Sequence, residues 1–151
     1  MGHAADRITV LHVDDDPEFA TTAALFLERH DDRFDVETVT SASAALDRLA
    51  AGDLDLDCIV SDYEMPGMNG IELLEAVRER HPSLPFILYT GRGSEEIASD
   101  AISAGVTDYL HKETGTSQYT LLANRVTNAV EQYRSRQALE ESQKRLSLFI
   151  E

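Results

Sequence analysis

At 151 residues and 42% hydrophobic composition, the chain is long enough for one ordinary domain with a real core and a little left over. Twenty-eight acids against 13 bases give a net charge of −15, which repels phosphate backbones and argues against direct nucleic-acid binding by this segment. No apolar run approaches the roughly 18 to 20 residues that span a bilayer. The start, Met1 to Asp6, has no basic region followed by an apolar stretch, so it is no secretory signal.

The single cysteine, Cys58, excludes an internal disulfide; it is expected to be a small core residue in a reducing, cytoplasmic setting. The acids are scattered rather than gathered in a tail, as suits a salt-rich cytoplasm in which self-repulsion is screened. Salt adaptation is a hypothesis. A melting curve unchanged between low salt and molar KCl counts against it.

In chain order, Ile8 to Val13 is β-rich and runs into Asp14-Asp15-Asp16-Pro17, a strand followed by an acidic turn, with Pro17 suited to a helix's first turn. Phe19, Ala20, Ala23, Ala24, Phe26 and Leu27 give the first helix its apolar face, to about His30. Phe34 to Val39 alternates, as a half-buried strand near a sheet edge does. Ser41 is a candidate cap for a second helix that buries Ala44, Ala45, Leu46 and Leu49, with Gly52 past its end.

Cys58-Ile59-Val60 is a third strand, and it ends on Asp62. A Pro- and Gly-rich loop follows, then a third helix from Asn69 or Gly70 carrying Ile71, Leu73, Leu74 and Val77, stopped by His81-Pro82. Pro85 to Thr90 is a fourth strand. The fourth helix holds Ile97, Ala98, Ala101 and Ile102 and stops at Gly105; Val106 to His111 is the fifth strand, ending at Lys112. The first, third, fourth and fifth strands are near-continuously apolar, which predicts burial on both faces. Short-looped strand–helix units imply a parallel sheet with helices on both sides, a doubly wound α/β fold.

From Thr116 to Ile150 there is no Gly or Pro. Leu121, Leu122, Val126, Ala129, Val130 and Tyr133 form the domain-facing side of a fifth helix. From about Arg134 to Glu151 the helix outruns what a domain needs and is expected to project, exposed or as a short coiled coil through Leu139, Leu146 and Phe149. The chain thus reads as a domain over 7–132 and a helical linker over 133–151 leading toward a further module.

In open α/β sheets, ligands bind at the carboxyl ends of the strands. Asp14 and Asp15 from the first strand, Asp62 from the third, Thr90 from the fourth and Lys112 from the fifth meet at that edge. Three neighbouring carboxylates raise one another's pKa unless a cation sits among them, and Mg²⁺ is the usual partner of carboxylates and phosphate. Asp62 is therefore expected to be a nucleophile that accepts a phosphoryl group, with Thr90 and Lys112 as donors to its oxygens. Asp16 reads as a turn or cap residue. His12 and His111 lack a second ligand at metal-binding spacing and read as structural.

Val13-Asp14-Asp15, Ser61 to Gly70, Tyr89-Thr90-Gly91 and Asp108 to Lys112 together resemble the receiver domain of two-component response regulators, over about Arg7 to Gln132. The resemblance implies a five-stranded flavodoxin-like sheet of order 2-1-3-4-5. It implies that Asp62 takes phosphate from a phosphohistidine of a histidine kinase or histidine phosphotransfer domain. By position, Asp15 and Asp62 would hold Mg²⁺ directly, Asp14 through water and Glu64 through its backbone carbonyl. Thr90 would be the switch hydroxyl, Lys112 the phosphate-pairing lysine and Tyr109 the aromatic that swings inward.

The sequence departs from the family where Glu113 follows Lys112 in place of a proline, usually cis, which leaves the loop's geometry open. Glu64 sets a carboxylate near the entry path and is expected to modulate phosphate lifetime by steering or blocking water; an unchanged dephosphorylation rate in Glu64→Ala would refute this. Gly91 opens space beside Thr90, and for Arg92 the expectation is a solvated side chain, with a reach across the mouth of the site as the alternative. The competing enzyme reading is a haloacid-dehalogenase-type aspartyl phosphatase, for which Asp14-Asp15-Asp16 has the spacing but Asp62 stays unexplained and no cap segment is long enough. A third reading, a pseudo-receiver without phosphate chemistry, sits badly with a complete set of site residues. The long last helix resembles those leading into sensor histidine kinase modules, with a DNA-binding effector as the alternative output. A homodimer is expected through the fourth helix, fifth strand and fifth helix, or through the last helix's extension.

Overall fold

The computed structural model describes residues 6–91 and 93–150, with the side chains of 148–150 excluded. The expectations for Arg92 and for the Phe149 side chain lie outside the described residues. Five strands and five helices alternate: β1 (Ile8–Val13), α1 (Pro17–His30), β2 (Phe34–Val39), α2 (Ala42–Ala50), β3 (Cys58–Ser61), α3 (Gly70–Arg80), β4 (Phe86–Thr90), α4 (Glu95–Ala104), β5 (Asp108–His111) and α5 (Ser117–Ile150). The sheet is parallel throughout, in the order β2-β1-β3-β4-β5.

Side chains alternate across a strand, and here that period of two divides the core into two layers. Ile8 and Val10 of β1, Cys58 and Val60 of β3, and Ile87 and Tyr89 of β4 face Leu27 of α1 and Leu122, Val126 and Val130 of α5. The intervening Leu11 and Val13, Ile59, and Phe86 and Leu88 face Ala45, Leu73, Leu74, Val77 and Ala101 of α2, α3 and α4. Burial on both faces is why β1, β3 and β4 read as continuous apolar runs.

Helix starts follow their capping chemistry. The Asp16 carboxylate accepts from the backbone N–H of Glu18 and Phe19, with Pro17 in the first turn, and Ser41 accepts from Ala44. Asn69 and Glu72 form a reciprocal capping box. Each such cap is worth about 1 kcal/mol. Gly105 ends α4 in the left-handed region, at φ 93°, where glycine alone carries no Cβ penalty.

Three expectations are corrected. β5 is not buried on both faces: only Leu110 is, because β5 is an edge strand and begins at Asp108 rather than Val106. Ile102 is 72% exposed and Leu121 is 44% exposed, since α4 and α5 turn other residues to the sheet. Past Val130, α5 leaves the core, and Leu139 and Leu146 stand exposed. Arg134 is tied back: its guanidinium donates to the Arg7 carbonyl and pairs with Asp57 at 3.1 Å, while Asp57 also accepts from the Thr9 N–H at 2.8 Å. Among the described residues no helix is long and apolar enough to cross a membrane.

Candidate functional site

The register of the strands assembles the site. Val13 pairs with both Val39 and Ser61, so the residues just past β1 and β3 emerge side by side. The Asp62 N–H donates to the Val13 carbonyl at 2.9 Å, which sets Asp62 beside Asp14. Thr90 pairs with His111, and the Lys112 N–H donates to the Thr90 carbonyl at 2.9 Å, which brings the fourth and fifth strand ends together. α3 presses on this edge from below: a Cβ on Gly70 would stand 2.2 Å from the Asp62 carbonyl oxygen, so only glycine fits there.

Asp14 is fully buried. Its Oδ1 accepts from the Asp16 N–H at 2.9 Å, and its Oδ2 accepts from Lys112 Nζ at 2.7 Å. Asp62 accepts from the Tyr63 N–H at 2.8 Å through Oδ1, and its Oδ2 lies 3.3 Å from Lys112 Nζ. Carboxylate oxygens of Asp14, Asp15 and Asp62 lie within 4.8 Å of one another. Asp15 is exposed; partial desolvation and the neighbouring Asp14 and Asp62 push its pKa above the usual carboxylate value. Desolvation is the larger cause for Asp15, and repulsion by the two neighbouring acids adds to it. The crowding of acids leaves the cluster suited to a hard divalent cation held by oxygens.

An open cleft of about 630 Å³ lies over these residues, lined by Asp15, Asp62, Glu64, Met65, Thr90 and Lys112. Asp14, Asp15, Asp62, Thr90 and Lys112 thus come together at one edge of the sheet, and Glu64 is among the residues lining the cleft. Tyr109 sits to one side, edge-on to His111 at 5.2 Å, with its hydroxyl buried beneath Gly93. Asp16 faces the N-terminus of α1. The second acid of the phosphatase spacing is therefore a helix cap, and the aspartyl-phosphatase reading is not supported.

Three features escaped the sequence reading. Lys112 Nζ stands 4.3 Å over the centre of the Phe19 ring, a cation–π contact beneath the cleft. His12 is wholly buried next to Phe19, and that burial, helped by the Lys112 charge, lowers its pKa to about 4, so it is neutral at pH 7. Gln118 is buried in the first turn of α5 and bonds the loop after Lys112. Phe19 looked like any apolar helix residue, and a polar residue in a first helical turn looks like a solvated one. Neither carried a signal of its own.

The family model for the response regulator receiver domain matches residues 10–124. The chain is 36% identical over 107 residues to the transcriptional regulatory protein FixJ of Azorhizobium caulinodans, covering 71% of this chain and 49% of that protein. It is 37% identical over 103 residues to the bacterioopsin transcriptional activator of Halobacterium salinarum, covering 68% of this chain and 15% of that one. The chain therefore spans about half or less of the length of these curated relatives. The signal receiver domain of an HD domain-containing protein from Pseudomonas fluorescens superposes with a TM-score of 0.73 at 28% identity, covering 85% of this chain and 98% of that one. A CheY-like receiver domain from Methanospirillum hungatei, at 23% identity and a TM-score of 0.75, shares the fold over 86% of this chain and 98% of its own.

Proposed function

The chain belongs to the response regulator receiver family, and from that premise we propose that Asp62 is its phosphoacceptor. One observation carries the reading: a single ammonium, Lys112 Nζ, lies within 3.3 Å of both the buried Asp14 and Asp62, on a cleft that Thr90 also lines. The donor is a phosphohistidine of a histidine kinase or phosphotransfer domain. The P–N bond breaks, a bond from an Asp62 carboxylate oxygen to phosphorus forms, and the imidazole leaves with the bond's electron pair and takes up a proton.

Asp14, Asp15, Asp62 and the Glu64 carbonyl would hold Mg²⁺, with Asp14 acting through water. When bound, the ion neutralises charge on the phosphoryl oxygens. Lys112 pairs with a phosphoryl oxygen, the Thr90 hydroxyl donates to another, and Tyr109 follows Thr90 inward. That motion biases a pre-existing equilibrium of the face made by α4, β5 and α5.

The receiver is proposed to comprise 7–132, with 133–151 as a helical linker. Ile102 on α4, Leu121 on the first turns of α5 and Leu139 and Leu146 on its extension offer exposed apolar surface for a second copy or a partner. A solution structure of the activated NtrC4 receiver, 26% identical to this chain, is a dimer. The chain acts as a phosphorylation switch that loses its phosphate slowly by itself. A sensor histidine kinase as the surrounding protein is favoured by the charged, uninterrupted α5; the relatives' names favour a transcriptional regulator.

Incubation with acetyl phosphate and Mg²⁺ is expected to label the chain stoichiometrically and to leave Asp62→Asn unlabelled. Labelling that survives in Asp62→Asn, or steady turnover of p-nitrophenyl phosphate, would sink the reading.

A further inference from the structure

We infer that Gln118 and Tyr89 are positioning residues for Lys112, locking the loop that follows it in place of a ring constraint. The inference rests on the reading of Lys112 as the cation that meets the phosphoryl group.

β5 ends at His111, and the Lys112 N–H to the Thr90 carbonyl is the last bond of the ladder. Beyond it the chain turns, and a lysine on a flexible four-carbon stem is only as well placed as the backbone that carries it. Glu113 comes next, and its N–H donates to Gln118 Oε1 at 3.0 Å. A proline at 113 would have no such donor. The Tyr89 hydroxyl donates to the same oxygen at 2.5 Å, and Gln118 Nε2 donates to the Gly115 carbonyl at 3.0 Å.

The orientation of the amide is fixed by its partners. A backbone N–H can only donate and a backbone carbonyl can only accept, so the oxygen must face Glu113 and the nitrogen Gly115. Gly115, at φ 86°, supplies the left-handed bend that wraps the loop around the amide.

Tyr89 and Gln118 are 1% and 8% exposed, so these bonds are made away from water and are costly to leave unmade. Their placement points to function. Tyr89 precedes Thr90, and Glu113 follows Lys112. One amide oxygen therefore ties the residue before the switch hydroxyl to the residue after the phosphate-pairing lysine.

The test is uptake of fluoroberyllate, a phosphoryl mimic, by the 151-residue chain at saturating Mg²⁺, followed by fluorine NMR. Gln118→Leu is expected to weaken binding about tenfold, below the ~100-fold that a misplacement of a full ångström costs. In a Lys112→Met background the same substitution is expected to cost less than about twofold, because a residue that acts through the lysine has nothing left to place. Gln118→Glu keeps both accepted bonds but sets an acceptor against the Gly115 carbonyl where the amide donated, so it is expected to lose less than Gln118→Leu, and only while Lys112 is present. Tyr89→Phe removes one bond and keeps the ring; its loss, about threefold, should likewise vanish without Lys112.

Unaltered affinity in Gln118→Leu overturns the inference. So does an equal loss with and without Lys112, which marks a merely structural role, and so does a loss in Gln118→Glu as large as in Gln118→Leu. If Gln118→Leu fails to fold, Tyr89→Phe and Gln118→Glu decide by the same criteria. An unaltered chain that takes up no fluoroberyllate overturns the phosphoacceptor reading itself, a result in which Gln118 plays no part.

Discussion

Lys112 Nζ lies 2.7 Å from Asp14 and 3.3 Å from Asp62. The ammonium is held more closely by the fully buried Asp14 than by Asp62, the proposed phosphoacceptor. Asp14 thus works as a counter-ion that parks the lysine at the edge of the cleft, with the Phe19 ring beneath it. A phosphoryl group on Asp62 adds negative charge beside a lysine that is already within reach.

Removing that cation exposes what it compensates. Lys112→Met leaves Asp14 buried without a countercharge, a change that typically costs about 3–5 kcal/mol. Millimolar Mg²⁺ is expected to recover much of the loss by supplying another cation to the same acids, and Mg²⁺ itself should bind more tightly to the variant. Urea unfolding with and without Mg²⁺ measures both. An equal loss in the two conditions contradicts the picture of one shared cluster.

The buried His12 makes stability depend on pH. Its folded pKa of about 4 lies below the ordinary 6.5, so the unfolded chain binds a proton that the folded chain refuses. Stability is therefore fully present above about 6.5, falls as pH drops through the window from 6.5 to about 4, and levels off below. Between pH 7 and 5 this group should contribute a loss of about 2 kcal/mol. Denaturant midpoints for the unaltered chain and His12→Leu are the check: a variant that loses as much as the parent over that interval rules His12 out.

Gly93 governs where Tyr109 can lie. A Cβ at 93 would stand 2.0 Å from the Tyr109 hydroxyl and 2.4 Å from His111 Cε1. Gly93→Ala is expected to drive the Tyr109 ring from its present place, with a change in its aromatic NMR signals and little change in melting temperature. Tyr109 signals identical to the parent's would show that the loop moves instead.

The extension of α5 is expected to be dispensable for folding. Arg134, paired with Asp57, is the last described residue seen tied back to the sheet end. A chain ending after Arg136 should keep its melting temperature within about 2 °C and its full acetyl phosphate labelling, since an exposed helix adds little packing. A collapse of labelling in that shorter chain would place the domain boundary further along.

The sequence alone determined the unit order, the candidate cap at Ser41, the turn-or-cap role of Asp16, a third helix starting at Asn69 or Gly70, and the five polar residues at the strand ends. These follow from local rules: a continuous apolar run means a strand buried on both faces, and an acid or an amide before a periodic segment means a cap. Only the tertiary structure decided which way partly apolar elements turn, as at Ile102, Leu121 and the edge strand β5, because a neighbour's presence sets burial there. It alone also decided the pairings that join distant residues: Lys112 with Asp14 and Phe19, Asp57 with Arg134, and Gln118 with Tyr89 and Glu113. Such contacts depend on where separate elements come to rest in space, and no spacing along the chain encodes that.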